Sequence, residues 1–594
     1  MLNLSEPLLI FDFANHDGTR KRLFFKSPVK IISTSNPEKI IPSLREIQRA
    51  IDSGLYAAGY ISHEAAPAFD PRFRVKKGGA MPLLWFGLFH NPHSLVSLIE
   101  DNISFSLSEW QPTISRKKYN EDISKIKEAI KNGQTYQVNY TMRLRARFEG
   151  NDLAFYHHLL NGQRASYCAY LNLGRFRVLS VSPELFFRWD GNQIVTKPMK
   201  GTIKRGRWPA EDDIRSAKLR NSAKNQAENV MIVDLLRNDL GRICNTGSVK
   251  VTQLFEIERY PTVFQMTSTI TGVTSKGTKL ENIFSALFPS GSVTGAPKVS
   301  TMDIITELEK SPREVYCGTI GFASPSGEAL FNVAIRTVII DAYTNIATYG
   351  VGGGITWDST AEEEFDEALA KAAVLTANYS NFDLLETLRL DYGQYTLLEK
   401  HLKRLETSAN YFDFQFSRVK VEETLHNFSH KYSQGVWRVR LLVSQNGEIH
   451  LEKEPLHPTS NGPLPVALAP SPISRDNCFL FHKTTYREPY NRIHNSLSHV
   501  FDVLFWNQEG ELTEFTLGNL VLELDGELWT PVVDSGLLPG TFREYLIERG
   551  EIKERILTLE DLKKADRIWL INSVRGWVPV YLVHSPSKLF QSLS

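Results

Sequence analysis

Cysteine is scarce in this chain, and neither sign of charge predominates. Its 594 residues include four cysteines, far apart and without a C-x-x-C pair: Cys168, Cys244, Cys317 and Cys478. This spacing argues against a disulfide framework and against a zinc site. Lysine and arginine number 68 against 67 aspartates and glutamates. The balance argues against a nucleic-acid partner and against a membrane-surface protein.

The sequence also has no long hydrophobic run. No stretch approaches the roughly 20 apolar residues that a membrane-spanning helix needs. The opening "MLNLSEPLLIFDFANHDGTR" lacks a basic segment before its apolar stretch, which is not typical of a secretory signal. Together with the few cysteines, this predicts a protein of a reducing compartment, most simply the cytoplasm.

The chain is long enough to require several domains. A helical pattern, "TAEEEFDEALAKAAVLTAN", is followed by the polar, turn-rich "NYSNFD" and then by strand-like "LLETLRL". We therefore predict a first domain at residues 1–376, a linker at 377–382 and a second domain at 383–594. Within the first domain, residues 1–114 form an N-terminal region whose turn-rich pattern predicts strands and loops rather than long helices.

Apolar spacing predicts several helices and one hairpin. Helices are expected from Tyr119 to Asn132, over "AENVMIVDLLRNDLGR", over "YTLLEKHLKRLETSANYFDF" after a strand end, and from Thr541 onward. The "DGN" of "RWDGNQIV" predicts a hairpin turn.

Five segments of the first domain, counting that of Lys200, carry residue types that bind and activate an anionic small molecule. Lys200 lies between an X-Pro bend and a glycine in "TKPMKGTIKR", and Glu184 lies on the preceding strand of a predicted hairpin. A third segment supplies Glu228, and Glu364 and Glu367 share a helix face. The glycine-rich turn "FPSGSVTGAPKVS" enters a helix, a geometry that presents N–H groups to a carboxylate. Each feature alone is more typical of a solvated surface, and only their coincidence predicts a site.

These segments resemble the chorismate-utilising enzymes over roughly residues 1 to 376. The landmarks are "SVTGAPK", "YCGTIGF", "AIRT" and "GGGI" followed by "W" and "DS". The resemblance implies an α+β fold of two layered antiparallel β-sheets with helices outside. It also implies Mg²⁺, held by Glu228 and Glu367 with Glu364 as a supporting, water-linked acid, and Glu184 as general acid. The residues that it places around chorismate are Gly201, Thr202, Ser292, Tyr316, Arg336, Gly352, Gly354 and Lys371.

Lys200 distinguishes the branches of this family. Anthranilate synthases carry alanine at the corresponding position, whereas "PMKGT" is similar to the aminodeoxychorismate synthases. In that branch the lysine attacks C2 of chorismate, the C4 hydroxyl leaves, and ammonia adds at C4 and expels the lysine. Gln265, in place of the histidine of anthranilate synthases, points the same way. Asn225 occupies a position where relatives often have an acid, so one contact at the outside of the site is expected to be weaker.

The second domain carries the parts of a pyridoxal phosphate site, which needs a lysine, an acid for the pyridine nitrogen and donors for the phosphate. It resembles the class IV aminotransferases, a fold of two α/β subdomains, and within them 4-amino-4-deoxychorismate lyase. The candidate cofactor residues are Arg404, Lys483, Glu514, Gly518, Asn519, Gly540 and Thr541. Lys483 is the implied catalytic lysine, and Arg575 in "NSVRGW" is a candidate contact for the substrate carboxylate.

The two resemblances together imply a path from chorismate and ammonia to 4-aminobenzoate, used in folate synthesis. The chain lacks a G-x-C-x-G-like elbow, so a separate glutamine amidotransferase is expected to supply ammonia. Class IV relatives also suggest a homodimer through the second domain. Two alternatives remain open: an anthranilate synthase component joined to a branched-chain or D-amino acid aminotransferase, and a non-catalytic amino-acid-binding regulatory protein.

Overall fold

The computed structural model describes residues 7–14, 19–93, 104–375, 382–458, 462–497 and 500–583. They belong to two compact units, Met1–Lys204 with Ser216–Tyr379, and Arg205–Arg215 with Ser380–Ser594. Except for Phe382, the predicted linker lies outside the described residues. The domain limits drawn from the sequence stay a prediction, and the grouping of Arg205–Arg215 with the second unit was not foreseen. Among the described residues, no helix combines the length and the apolar character needed to cross a bilayer.

The first unit is rich in strands. In chain order they are β1 (Leu8–Ala14), β2 (Arg20–Lys26), β3 (Lys30–Thr34), β4 (Tyr56–Ile61), β5 (Leu84–Phe89), β6 (Phe105–Leu107), β7 (Gln111–Pro112), β8 (Gln137–Gly150), β9 (Tyr167–Asn172), β10 (Phe176–Ser182), β11 (Leu185–Trp189), β12 (Gln193–Lys197), β13 (Met199–Lys204), β14 (Lys250–Arg259), β15 (Val263–Val273), β16 (Gly295–Ala296), β17 (Thr319–Ala323), β18 (Ala329–Val333), β19 (Thr337–Asp341) and β20 (Ile346–Ile355).

Helices connect these strands. They are α1 (Ile40–Asp52), α2 (Arg116–Lys131), α3 (Asp152–Gln163), α4 (Pro209–Arg220), α5 (Ala223–Gly241), α6 (Leu280–Leu287), α7 (Lys298–Leu308) and α8 (Ala361–Lys371). The part of α4 up to Arg215 is grouped with the second unit. Short 3-10 turns lie at Pro37–Lys39, His63–Ala68, Gly291–Val293 and Ala373–Leu375. The predicted helices appear as α2, α5 and α8. The expectation of strands and loops in the N-terminal region was wrong for α1, which buries Ile40, Leu44, Ile47 and Ile51 along one face, a helical spacing that turn residues on both sides obscured.

Two antiparallel sheets layer against each other. The first sheet has the order β16-β8-β20-β19-β10-β9-β1-β2, with β6 and β7 beside β8, and the second has the order β13-β15-β12-β11-β18-β17-β4-β5-β3, with β14 beside β15. Phe11 of the first sheet meets Phe322 of the second, ring centroids 5.7 Å apart, in a core drawn from both sheets. Apolar side chains of α2, α3 and α8 pack on the outer face of the first sheet, and those of α1, α5 and α6 on that of the second. The predicted fold of the first domain is confirmed.

The second unit has its own strands and helices. They are β21 (Leu384–Asp391), β22 (Gln394–Tyr395), β23 (Val436–Val443), β24 (Ile449–Pro455), β25 (Leu464–Leu468), β26 (Asp502–Trp506), β27 (Leu512–Phe515), β28 (Asn519–Leu524), β29 (Glu527–Pro531), β30 (Lys553–Arg555), β31 (Arg567–Asn572) and β32 (Gly576–Leu582), with α9 (Leu398–Phe412), α10 (Arg418–Lys431), α11 (Glu488–Ser496), α12 (Thr541–Glu548) and α13 (Leu559–Lys564). Short 3-10 turns lie at Cys478–Leu480 and Val533–Ser535.

These elements build two sheets. One has the order β22-β21-β23-β24, and the other the order β27-β26-β25-β32-β31-β28-β29-β30. Helices α9 and α10 bury their apolar faces against the smaller sheet, and α12 packs on the larger one. The β25–β26 and β25–β32 pairs are parallel, whereas the smaller sheet is antiparallel. Each sheet thus forms an α/β subdomain with its own helices, as expected.

Candidate active sites

A β-bulge sets the direction of Lys200. In the pairing of β13 with β15, Met199 lies opposite Thr267 and Thr202 opposite Gln265, so Lys200 and Gly201 together face a single residue. Gly201 has a φ of +95°, a conformation that glycine adopts without strain. A bulge of this kind redirects a side chain. Lys200 accordingly lines a cavity of about 630 Å³ in the first unit.

Glu184 lies in the same cavity, just before β11. Its side chain is buried. Burial raises the pKa of Glu184 to about 7, although the Ser292 side chain, the Lys200 charge and the Met199 N–H act in the opposite direction. A carboxyl of this kind holds its proton near neutral pH and can act as a general acid.

The pKa of Lys200 is lower than that of an ordinary lysine. Burial lowers its pKa, and the neighbouring charges of Glu228 and Glu184 only partly counter that effect. A lowered pKa increases the share of the free amine, which is the form that a nucleophile requires.

The cavity gathers every first-domain residue that the sequence singled out. These are Glu184, Lys200, Gly201, Thr202, Glu228, Ser292, Tyr316, Arg336, Gly352, Gly354, Glu364, Glu367 and Lys371. Sequence reasoning missed other lining residues, namely Asn139, Lys218, Lys224, Tyr349 and Glu363. Lys224 had a visible signal, because it lies one helical turn before Glu228 on α5.

The three acids predicted to hold a metal come from two helices, Glu228 from α5 and Glu364 and Glu367 from α8. Burial raises the pKa of Glu228 and that of Glu364, which also accepts the Ser359 hydroxyl at 2.7 Å. Glu367 forms an ion pair with Lys371 at 2.7 Å. Burial alone would raise the pKa of Glu367, but Lys371 outweighs it and lowers the pKa.

The donor chemistry of these acids fits Mg²⁺, which binds carboxylates and retains several waters. Carboxylates on two helices facing one cavity leave space for waters and for a substrate oxygen. Within the described ranges, however, no three acids, histidines or cysteines are already gathered as a metal-ligand cluster. The Mg²⁺ ligands therefore stay a prediction.

Glycines of β20 let this strand pass close to its neighbours. A Cβ on Gly350 would overlap the Tyr316 ring, and one on Gly352 would overlap the Tyr140 carbonyl. A Cβ on Gly354 would collide with the Gln137 amide and lie 2.8 Å from the Lys200 Nζ. The glycine run thus keeps one wall of the cavity free of side chains.

In the second unit, Lys483 lies in the chain between β25 and α11. Its carbonyl accepts the Leu385 N–H at 3.0 Å, which ties it to β21. Burial, followed by the positive charges of Arg487 and Arg404, lowers the pKa of Lys483 to about 7. A near-neutral pKa gives an amine able to bond to an aldehyde at physiological pH.

Glu514 is buried on β27. It accepts the Tyr490 hydroxyl at 2.9 Å, and the Asn519 amide approaches at 3.5 Å. Burial raises the pKa of Glu514 to about 7, while Arg487 and Tyr490 oppose the rise. Its charge interacts with that of Lys483, so the predicted lysine and acid belong to one neighbourhood.

Arg404, Gly540 and Thr541 form a group with donors for a phosphate. The Arg404 guanidinium donates to the Pro539 carbonyl at 3.3 Å, just before the N-terminus of α12. A Cβ on Gly540 would collide with the Asn519 amide oxygen, and one on Gly518 would lie 2.5 Å from the Ile571 carbonyl. The amine, the buried acid, the guanidinium and the helix start match the chemistry that pyridoxal phosphate needs.

Arg575 lies in the turn between β31 and β32, where its N–H donates to Asn572 at 2.8 Å. Its role toward a substrate stays a prediction. Arg487, four residues after Lys483, was missed, although its charge acts on both Lys483 and Glu514. Its guanidinium donates to the Thr516 carbonyl and lies over the Tyr490 ring, 5.0 Å from the centroid.

Two family models match this chain. Residues 100–377 match the model described as chorismate binding enzyme, and residues 383–583 match that described as Amino-transferase class IV. Aminodeoxychorismate synthase component 1 of Escherichia coli (strain K12) is 41% identical over 264 residues, 44% of this chain and 58% of that protein. The match therefore spans little more than half of that relative.

Anthranilate synthases are also similar. Component 1 from Methanothermobacter thermautotrophicus is 36% identical over 338 residues, 53% of this chain and 72% of that protein. The crystal structure of component I from Streptococcus pneumoniae TIGR4 superposes with a TM-score of 0.51 at 24% identity, over 62% of this chain and 90% of that one. This structural likeness shows a shared fold for the first unit.

Proposed function

Because this chain belongs to the family of chorismate binding enzymes and also contains a class IV amino-transferase region, we propose that it makes 4-aminobenzoate in two reactions. The first converts chorismate and ammonia into 4-amino-4-deoxychorismate and water. The second eliminates pyruvate from that product. The observation that carries the proposal is the joint presence of Lys200 and Glu184 in one cavity, with pKa values shifted toward a free amine and a protonated acid.

In the first reaction, the Lys200 amine forms a bond to C2 of chorismate. The ring double bonds shift, and the C4 hydroxyl leaves as water with a proton from Glu184. Ammonia then bonds to C4 and gives up a proton to Glu184, the double bonds shift back, and the C2–N bond breaks with its electron pair returning to Lys200. The lysine is regenerated, and the net change replaces the hydroxyl by an amino group.

Other residues of the cavity would orient the substrate. Arg336 and Tyr316 are proposed to hold the enolpyruvyl carboxylate, since a guanidinium can bind a carboxylate with two hydrogen bonds. Glu228, Glu364 and Glu367 would hold Mg²⁺, which would offset the charge of the ring carboxylate.

In the second reaction, pyridoxal phosphate would supply an electron sink. Lys483 is proposed to hold the cofactor and then, once displaced by the substrate amine, to remove a ring proton. Glu514 would keep the pyridine nitrogen protonated. The raised pKa of Glu514 favours a proton shared between its carboxyl and that nitrogen. Loss of pyruvate makes the ring aromatic.

The ammonia source is proposed to be a separate glutamine amidotransferase, because component 1 of the relatives is named as part of a larger synthase. Both reactions are proposed for the cytoplasm, and a homodimer through the second domain remains part of the proposal. With ammonium salt the purified chain should make product, whereas glutamine alone should yield none. Product from glutamine without a partner would overturn this part.

The deciding experiment incubates the chain with chorismate, Mg²⁺, pyridoxal phosphate and ammonium salt, then separates 4-aminobenzoate from 2-aminobenzoate. We expect the 4-isomer from the wild type and from Lys204→Ala, an exposed lysine on the same strand. Lys200→Ala should abolish it. In the absence of ammonia, the peptide with Lys200 should gain the mass of chorismate minus water.

Anthranilate synthesis is the second candidate, since anthranilate synthases are among the relatives. It predicts 2-aminobenzoate as the main product and no covalent adduct on Lys200. Either result would reject the first proposed reaction. A non-catalytic regulatory role would be supported only if neither product formed.

A further inference from the structure

A buried carboxylate in the second unit holds two side chains beside the start of α12. Glu386 on β21 is 1% exposed. Its Oε1 accepts the Arg404 Nε at 2.8 Å, and its Oε2 accepts the Arg404 Nη2 at 2.7 Å. The same Oε2 receives the Nδ1 of His401 at 2.7 Å. His401 and Arg404 are three apart on α9 and therefore share one helix face.

The carboxylate also determines which imidazole nitrogen carries hydrogen. Burial alone would raise the pKa of Glu386, but Arg404 and His401 outweigh it and hold the pKa at about 2. The carboxylate can only accept, so Nδ1 of His401 must donate. Nε2 of His401 lies 3.3 Å from the Thr541 hydroxyl.

Burial of His401 favours the neutral form of its ring. Burial lowers its pKa; Glu386 acts in the opposite direction, and the positive charges of Arg404 and Lys483 add to the lowering. In the neutral ring Nε2 is an acceptor, so the Thr541 hydroxyl donates to it. The Thr541 rotamer is thereby tied, through His401, to Glu386.

Arg404 is oriented by the same carboxylate. Two of its nitrogens face Glu386, and its Nη1 donates to the Pro539 carbonyl at 3.3 Å. The guanidinium is thus directed at the loop that precedes α12. Two parallel hydrogen bonds to one carboxylate fix the plane of a guanidinium, whereas contact with a single point charge leaves that plane free to rotate.

We propose that Glu386 is a positioning residue for the phosphate group of pyridoxal phosphate. It holds Arg404 directly, and through His401 it holds the Thr541 side chain turned toward the imidazole, so that the guanidinium and the backbone N–H groups at the N-terminus of α12 stand ready before the cofactor arrives. The inference rests on the proposed second reaction, because it requires that pyridoxal phosphate binds. It concerns only how the phosphate group is bound. It therefore predicts a loss of affinity that depends on whether the ligand carries a phosphate.

The test compares pyridoxal phosphate with pyridoxal, which has the same aldehyde and ring but no phosphate. Full-length chain stripped of cofactor is titrated with each, and binding is followed by absorbance and by borohydride trapping on Lys483. Inorganic phosphate is titrated separately by ³¹P NMR. The variants are Glu386→Gln, which keeps the shape, and Glu399→Gln, a control on α9, the helix of Arg404, whose side chain is 79% exposed.

Glu386→Gln should weaken pyridoxal phosphate and inorganic phosphate by about tenfold to a hundredfold, the usual range for a lost hydrogen bond to a charged group. Pyridoxal binding should change less than about twofold, within the error of such comparisons. Glu399→Gln should resemble the wild type with all three ligands. Equal weakening of both aldehydes, or no weakening of either, would overturn the inference.

A second variant covers the case in which Glu386→Gln does not fold, as judged by circular dichroism. Arg404→Lys keeps the positive charge but loses the bidentate pair, and it should show the same phosphate-selective loss. If Arg404→Lys lost affinity equally for pyridoxal phosphate and for pyridoxal, or lost none for either, the inference would also be contradicted. If the wild-type chain trapped neither aldehyde on Lys483, the proposed second reaction would fail and the inference with it, which is a separate outcome from an unselective variant.

Discussion

The Nζ of Lys200 lies 2.8 Å from the point where a Cβ on Gly354 would stand. The bulge in β13 directs Lys200 toward β20, and the missing side chain at Gly354 leaves room for its amine. A single methyl group at this position would therefore act on the amine proposed to attack the substrate.

Gly354→Ala should cost most of the synthase activity. The added Cβ collides with the Gln137 amide as well as with Lys200, and a displacement of about 1 Å in a reacting group can lower the rate roughly a hundredfold. The measurement is 4-aminobenzoate formation with ammonium salt. Gly241→Ala is a matched control, because a Cβ there meets nothing within 4 Å; equal activity in both variants would contradict the packing argument.

Glu184 should make the folded chain less stable as the pH rises. Burial raises its pKa from 4.5 to about 7, so below pH 4.5 the carboxyl is protonated in both states and its full contribution is present. As the pH rises toward and through 7, the unfolded chain releases this proton first and the contribution is lost. At about 1.4 kcal/mol per pKa unit, the loss is roughly 3 kcal/mol by pH 8.

Glu184→Gln removes this pH dependence. The unfolding free energy of the variant minus that of the wild type should therefore increase between about pH 5 and pH 8, as measured by urea unfolding in matched buffers. Glu121→Gln, an exposed acid, should give a constant difference. A constant difference for Glu184→Gln as well would mean that its carboxyl is not buried in its neutral form.

Arg487→Gln should shift the pH at which Lys483 captures pyridoxal phosphate. After burial, Arg487 is the largest cause of the lowered Lys483 pKa of about 7. Removing its charge raises that pKa, so the free amine and cofactor capture should appear only at higher pH. The readout is the absorbance of trapped cofactor across the pH range. Arg492→Gln, exposed on the helix α11 that follows Arg487, should leave the profile of the wild type unchanged.

Glu309→Gln should destabilise the first unit. Its carboxylate lies among buried arginines, 2.6 Å from Arg313 and 3.5 Å from Arg143. Breaking a buried ion pair by removing one charge typically costs about 3–5 kcal/mol, because the remaining charge is left uncompensated. Urea denaturation measures the loss, and Glu307→Gln, whose side chain is 66% exposed, should change stability by less than about 0.5 kcal/mol.

Arg143 connects this network to the cavity, since its guanidinium lies 5.2 Å from the centroid of the Tyr316 ring. Loss of Glu309 should therefore also raise the KM for chorismate. An unchanged KM in a folded but destabilised variant would limit Glu309 to a structural role.

Short motifs, together with the resemblance to the chorismate-utilising enzymes, were enough to predict much of the candidate first site. The lysine in "PMKGT", the glycine run and the acids on α5 and α8 were visible because each lies in a compact stretch with a distinctive pattern. Residues such as Asn139 and Tyr349 were not visible, since nothing near them in the chain differs from an ordinary strand. Their place in the cavity depends on how β8 and β20 pair.

In the second site, too, motifs identified some residues, and only the tertiary contacts identified the others. Lys483 and Glu514 could be found from their motifs, but the Glu386 support joins β21, α9 and the start of α12, and no local pattern connects these three. Helix α1 was missed although its apolar spacing is visible in the sequence. The turn residues on both sides of it were taken to indicate strands and loops.

The sequence by itself determined the two fold families, the helices α2, α5, α8, α9 and α12, and the chemical types of the candidate site residues. These follow from local propensity and from motifs a few residues long. Only the tertiary structure decided the direction of Lys200 at its bulge, the buried neutral state of Glu184 and the orientation of Arg404 by Glu386. These depend on burial and on partners distant in the chain, and both the desolvation that shifts a pKa and the hydrogen bonds that orient a guanidinium arise only once the distant strands have packed.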